Sequence, residues 1–489
     1  MTYLHPSRRS RFVATSAAGL LAAAGTLATA APAAADPACD TVEALMECMT
    51  VGGVTEHLTA LQAIADENGG NRASGLPGHT ASADYVTDRL EAAGYEVTRQ
   101  PFDFDYYDVV GTPTFQQLSP TPTTYVYGTD FQDMSYSGSG TVTGTVVPID
   151  IDSADSGCEA ADFPVAADDQ VALIKRGACD FAVKAANAEA AGYDAAIIYN
   201  DGQSTEEEDR TTLIGGTLGG PAGIPVLDMT YARGVELSTG SPTVAIDIET
   251  VNETRSTENV IAELPGKANH DVIGVGAHLD SVPEGPGIND NGSGSAAILE
   301  LAENMAGTQP ENGVRFFWWG AEESGLVGSQ YYVDSQSQGQ LKKLSAYLNF
   351  DMVGSPNFAR FVYDGDGSTF EAPDGYVTEE SAAIETLFET FYDSRGLAYE
   401  DTEFDGRSDY QAFADAGIPT GGLFTGAEGE KTAAQVARYG GVEGVAFDEC
   451  YHAACDDIGN VNFDVLDENA DAIAYATLTL AQQGHRGGN

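Results

Sequence analysis

Val54, Leu58, Leu61 and Ile64 recur three and four residues apart, the spacing that gathers side chains on one face of a helix. Val86, Leu90 and Ala93 repeat the pattern over 82–94, and Gly94 offers a stop. From about residue 102 to 250 the texture changes to short runs rich in Val, Thr, Tyr and Gly, broken by turn residues, which predicts a mostly β segment. After residue 257, short apolar runs at 272–277, 314–319 and 346–350 alternate with helical patterns at 295–305 and near 464–482. This alternation predicts an α/β fold, a doubly wound mixed sheet with helices on both faces. The sheet domain is expected to span 36–101 and 251–489, with 102–250 inserted as a separate, mostly β module. No repeat of fixed period is present.

The first 35 residues read as an export signal. Arg8, Arg9 and Arg11 precede an apolar, alanine-rich stretch over 12–30, and Ala33, Ala34 and Ala35 supply small residues for cleavage. Ser7-Arg8-Arg9 is similar to the start of a twin-arginine motif, but Phe12 sits one place late, so the export route stays open. No uninterrupted apolar run of about 18 residues follows, so nothing is expected to anchor the mature chain in a membrane. Acids outnumber bases 75 to 22 in the 489 residues, giving a net charge of −53. Such a surface repels phosphates and anionic headgroups, which argues against nucleic-acid and membrane partners and reads as solubility or salt tolerance. Six cysteines in an exported chain favour disulfides. They admit several connectivities, and proximity along the chain favours Cys39 with Cys48, Cys158 with Cys179, and Cys450 with Cys455.

Ligands collect beyond the carboxyl ends of strands in a doubly wound sheet. The run 272–277 leads into His278-Leu279-Asp280, 314–319 into Gly320-Ala321-Glu322-Glu323, and 346–350 into Asp351. Asp290 and His452 lie in loops. Two histidines and three carboxylates suit a pair of zinc ions with one carboxylate bridging. Singly, each residue is ordinary: a lone histidine after a strand is more often structural, and loop acids are usually solvated. Three of the five following successive strands is harder to ascribe to chance. Glu322 and Glu323, as neighbours in an extended segment, would point to opposite sides, so that one binds metal while the other remains free as a base. Asp280 is placed to accept the other ring N–H of His278.

Taken together, Gly276-Ala277-His278-Leu279-Asp280-Ser281, Gly287-Ile288-Asn289-Asp290-Asn291-Gly292-Ser293-Gly294, Trp319-Gly320-Ala321-Glu322-Glu323-Ser324-Gly325, Asn349-Phe350-Asp351-Met352 and Cys450-Tyr451-His452 resemble the secreted bacterial double-zinc aminopeptidases. The similarity covers roughly residues 54–100 and 255–482. The resemblance implies that His278 and Asp351 hold one zinc, Glu323 and His452 the other, and Asp290 bridges them. It makes Glu322 the general base and Tyr451 the group that hydrogen-bonds the developing oxyanion. The substrate's free α-amine would sit near Glu322, Asp351 and the backbone carbonyl of Arg407, within Asp405-Gly406-Arg407-Ser408-Asp409. Met352 and Phe424 would wall an apolar pocket for the first side chain, and Asp290–Asn291 would be a non-proline cis bond. Asp467 and Asp471 match calcium ligands of the relatives, but the N-terminal aspartate completing that site is replaced near Cys48. Two acids one helical turn apart are as easily a solvated face.

The segment Val171-Ala172-Leu173-Ile174-Lys175-Arg176-Gly177-Ala178-Cys179-Asp180-Phe181, with Ala195-Ala196-Ile197-Ile198-Tyr199-Asn200 and Gly223-Ile224-Pro225-Val226, resembles a protease-associated domain. Such a non-catalytic module is expected here as a lid shaping access to the cleft, with specific recruitment of a protein partner as the alternative. The expectation is a secreted, monomeric metalloaminopeptidase carrying two zinc ions, acting on peptides with a free N-terminus and favouring large apolar first residues. Two alternatives are a carboxypeptidase or dipeptidase on the same fold, and a non-enzymatic binding protein with a decayed site. The first would want cationic groups for a terminal carboxylate, where the cleft segments offer mainly Arg407; the second fits poorly with retention of every ligand and of Glu322.

Overall fold

A computed structural model describes residues 39–204, 209–267, 271–373 and 375–483. The expected export signal, 1–35, lies outside the described residues. Two eight-stranded sheets organise the rest. Across the larger one the order is Val97–Val109, Thr250–Leu264, Gly313–Trp319, Val272–His278, Leu344–Phe350, Thr420–Phe424, Phe361–Tyr363 and Glu400–Thr402. Its four central strands, from Gly313–Trp319 to Thr420–Phe424, are parallel, and antiparallel pairs flank them, so the sheet is mixed.

The strand Gly313–Trp319 shows why both faces carry helices. Successive residues point to opposite sides, and here both sides are apolar: Phe316 and Trp318 enter one core, Phe317 and Trp319 the other. The first core includes residues of helices Val51–Glu67, Pro77–Ala93, Gly294–Met305, Glu379–Arg395 and Phe463–Gln482; the second those of Val327–Ser335 and Tyr410–Asp415. Each buried indole finds an acceptor, Trp318 Nε1 donating to the Ser295 carbonyl at 3.1 Å and Trp319 Nε1 to Tyr347 Oη at 2.8 Å.

The helices run longer than their apolar periodicity suggests. Thr50 caps Val51–Glu67 by accepting from Gly53 N at 3.0 Å. Pro77–Ala93 starts at its proline, well before residue 82, because its first turn buries Gly78 and His79, residues a hydrophobic pattern does not register. A Cβ at Gly78 would strike the carbonyl oxygen of Asn71, so the first turn lies directly on backbone.

The second sheet is ordered Thr123–Thr124, Thr114–Ser119, Thr243–Ile248, Gly140–Ile149, Gln170–Lys175, Ala195–Tyr199, Val226–Met229 and Phe131–Asp133. It is mostly strand, yet its four strands from Gly140–Ile149 to Val226–Met229 run parallel, with helix Phe181–Ala191 as one crossover. The two sheets are joined by a ribbon. Val97–Val109 pairs antiparallel with the following strand of the larger sheet, in unbroken register from Val97 opposite Ala262 to Val109 opposite Thr250. All three disulfides, Cys39–Cys48, Cys158–Cys179 and Cys450–Cys455, are formed. Among the described residues no helix is long and apolar enough to cross a membrane.

Candidate metal centre

His278 is the last residue of its strand, Asp351 follows Phe350 at the end of the neighbouring one, and Glu322 and Glu323 lie in the turn after Trp319. In the parallel register His278 sits opposite Trp319 and Gly276 opposite Asn349, so these side chains emerge at one edge. Asp290 comes from the short turn Ile288–Ser293, whose Asp290–Asn291 peptide bond is cis. His452 is carried by the loop that the Cys450–Cys455 disulfide closes.

Asp290 stands between the two imidazoles. Its Oδ1 is 3.1 Å from His278 Nε2 and its Oδ2 is 3.2 Å from His452 Nε2. Asp351 Oδ1 lies 3.3 Å from His278 Nε2, and Glu323 Oε2 lies 3.0 Å from His452 Nε2. Glu322 Oε2 is further out, 4.0 Å from His278 Nε2. Two ligands each about 2.1 Å from one ion at a near-tetrahedral angle are themselves about 3.4 Å apart, so the inner separations suit shared cations.

The electrostatics point the same way. Burial pushes Glu322 well above the usual carboxylate range, with Asp351 and Asp409 adding to it, and Glu323 is pushed up to about 7 by burial. Burial acts on Asp290 too, but His278 and His452 outweigh it and hold its carboxyl well below that range. Burial would depress His278, yet Asp351 and Glu322 raise it well above the ordinary imidazole value. His452 rises to about 11, because Glu323 and Asp290 overcome its burial. Asp351 Oδ1 and Glu323 Oε1 are buried with no hydrogen-bond partner. Crowded acids, two imidazole nitrogens and orphaned carboxylate oxygens form a donor set that fits divalent zinc.

The surrounding groups differ in part from the sequence reading. His278 Nδ1 lies 3.1 Å from the backbone oxygen of Asp280 but 3.7 Å from its carboxylate, because the tight turn brings the carbonyl round first. The Asp280 carboxylate accepts instead from the backbone N–H of Glu322, at 3.3 Å. Glu322 and Glu323 are not in an extended segment: Ala321 has φ +53° and the chain turns there. The two carboxylates still diverge, one toward His278 and the other toward His452. Arg407 extends its guanidinium to Glu428 at 2.8 Å and to Tyr451 Oη at 3.2 Å, and the Tyr451 ring stacks on His452 at 3.8 Å. Met352 is buried beside Asp351, and Phe424 ends the strand Thr420–Phe424, stacked on Phe361. Asp471 is paired with Arg395 at 3.2 Å, which already supplies it with a positive charge.

Several supporting residues carried no signal of their own in the sequence. Asp456 accepts the backbone N–H groups of Asn289 and Asp290, both at 2.9 Å, and Ser408 Oγ donates to Asp351 Oδ2 at 2.6 Å. Arg72 is fully buried and donates to the carbonyls of Leu279, Pro286 and Gly287, clamping the segment that runs from His278 to the Asp290 turn.

Residues 259–477 match peptidase family M28, and residues 142–237 match the PA domain. The aminopeptidase of Pseudomonas aeruginosa strain UCBPP-PA14 is 48% identical over 447 residues, spanning 89% of this chain and 82% of that protein. Among solved structures, the aminopeptidase from Aneurinibacillus sp. strain AM-1 superposes with a TM-score of 0.72 at 25% identity, covering 91% of this chain and 97% of its own. BSAP, a zinc aminopeptidase from Bacillus subtilis, superposes with a TM-score of 0.64 at 25% identity, over 89% and 97% of the respective chains.

Proposed function

The chain belongs to peptidase family M28 as a zinc-dependent aminopeptidase with an inserted PA domain, and from that premise we propose that it is exported and removes large apolar residues from the N-termini of peptides with two zinc ions. The observation that carries this reading is the placement of Asp290 between His278 and His452, each of which faces a further carboxylate. In it, Asp290 would bridge, His278 and Asp351 would hold one ion, and Glu323 and His452 would hold the other. Zinc, when bound, supplies a Lewis acid that polarises the scissile carbonyl and acidifies water.

The chain's own residues do the rest. Glu322 is oriented by Asp280 through its backbone N–H, and its carboxylate is not among the closest contacts of either imidazole. It takes a proton from the attacking water and passes it to the leaving amine. Burial raises its basicity toward what that exchange needs near neutral pH. Tyr451, held by stacking on His452 and by Arg407, donates its hydroxyl hydrogen to the oxyanion as charge develops there. The substrate's ammonium is received by Glu322, Asp351 and the Arg407 carbonyl, and its side chain by Met352 and Phe424. An internal peptide bond presents no such cation, which accounts for exopeptidase action. A terminal carboxylate would need a free guanidinium, but that of Arg407 is engaged by Glu428 and Tyr451.

Three disulfides suit an oxidising compartment, which supports export. The inserted domain acts as a lid: its Tyr136 Oη donates toward the carbonyl of Ser324 at 3.2 Å, in the turn that carries Glu322 and Glu323. The testing experiment is hydrolysis of a leucine anilide and of its N-acetylated form, with and without a chelator. The expected result is turnover of the free amine only, abolished by chelation and restored by zinc. Cleavage of neither by protein holding two ions would transfer the reading to a carboxypeptidase or dipeptidase.

A further inference from the structure

We propose that His57, Glu300 and Glu303 form a separate metal site, for one zinc-type divalent cation that ties helix Val51–Glu67 to helix Gly294–Met305. His57 is 1% exposed, and its Nδ1 lies 2.8 Å from Tyr85 Oη. Its Nε2 is buried and has no hydrogen-bond partner, although it is aimed at two carboxylates. Glu300 Oε2 is 3.6 Å away and Glu303 Oε2 is 4.0 Å away.

Neither neutral tautomer satisfies this nitrogen. As an N–H it lacks an acceptor within the roughly 2.7–3.2 Å of a hydrogen bond, and as a lone pair it faces negative oxygens. The 3.6 Å gap to Glu300 is instead close to the separation of two ligands each about 2.1 Å from a common ion. Tyr85 then fulfils the orienting role that ligating imidazoles require on their other nitrogen.

The carboxylates are prepared for the same task. Glu300 and Glu303 are one turn apart on one helix, so both reach the same side. Asn304 Nδ2 donates to Glu300 Oε1 at 3.0 Å, which leaves Oε2 for the ion. Arg89 binds Glu303 through both oxygens, at 2.6 and 2.7 Å, and fixes its plane while Oε2 keeps a second lone pair. Gly53, one turn before His57, makes room: a Cβ there would overlap the Glu300 carboxylate. One imidazole with two carboxylates suits zinc and its neighbours in the first transition row rather than calcium or magnesium.

The test uses the full mature chain crystallised with its catalytic metals and soaked in zinc chloride, with anomalous diffraction recorded at the zinc edge. The expected result is a peak about 2.1 Å from His57 Nε2, in addition to any at Asp290. Its absence at millimolar zinc overturns the proposal, whatever is found at Asp290. In solution, His57→Gln and Glu300→Gln should each bind one zinc fewer per chain than wild type by elemental analysis, with hydrolysis of the leucine anilide unchanged. Equal zinc in wild type and in whichever variant folds would overturn the proposal just as well.

Discussion

Ser408 Oγ donates a 2.6 Å hydrogen bond to Asp351 Oδ2, and this contact selects which oxygen of Asp351 turns to His278. Asn349 Nδ2 holds the same hydroxyl at 2.7 Å, so the orientation is set from within the strand that delivers Asp351. Ser408→Ala should therefore weaken zinc binding by about 10- to 100-fold, the usual cost of losing a partner behind a metal ligand. Titration against a chelator of known affinity measures this, and an unchanged affinity would remove Ser408 from the metal centre.

The adjacent glutamates should separate in their effects. Glu322→Gln is expected to retain both ions and lower kcat by about 10²- to 10⁴-fold, whereas His278→Ala and Asp290→Ala lose metal. Elemental analysis alongside turnover distinguishes the two outcomes. Metal-free Glu322→Gln protein would contradict the division of roles.

Arg72 makes a structural prediction. Lysine keeps the charge but cannot reach the Leu279, Pro286 and Gly287 carbonyls together. Leaving even one or two buried acceptors unpaired costs about 1–3 kcal/mol each, so Arg72→Lys should destabilise the protein by at least about 1 kcal/mol in urea unfolding. Because the clamped carbonyls all lie between His278 and Asp290, kcat should fall with it.

Glu385 gives a pH dependence outside the centre. It is buried, and burial, with Asp366 and Asp401 beside it, pushes its carboxyl from an ordinary 4.5 up to about 8. Between those values the folded chain holds a proton that the unfolded chain has lost, so this group's contribution to stability declines as pH rises from about 4.5 to 8. Glu385→Gln keeps an acceptor for the Asp366 N–H and removes the titration. Urea midpoints of the variant relative to wild type should rise from pH 5 to pH 8; parallel curves would refute the assignment.

The parts of this protein legible in its sequence are those in which one short segment carries the whole signal. Phe316 to Trp319 read as a strand buried on both faces, and His278 ends a strand while Glu323 and Asp351 follow strand ends, where the sheet must deliver them. The supporting residues were harder to see, because Arg72 and Asp456 act by contact with backbone far away in the chain. No local pattern encodes such a contact. The parallel strands of the inserted domain escaped for another reason. Val171 to Ile174 and Ala195 to Tyr199 are continuous buried runs, and continuity of that kind shows a strand covered on both sides without naming its neighbour.

Val109 and Thr250 face each other across the ribbon that leads into the inserted domain and out again. To the peptidase sheet, everything between them occupies the place of a hairpin turn. A module attached in this way can lengthen, shorten or be exchanged during evolution without shifting the pairing of a single catalytic strand. A graft that joins a different domain at the same two positions inherits ends that already lie side by side.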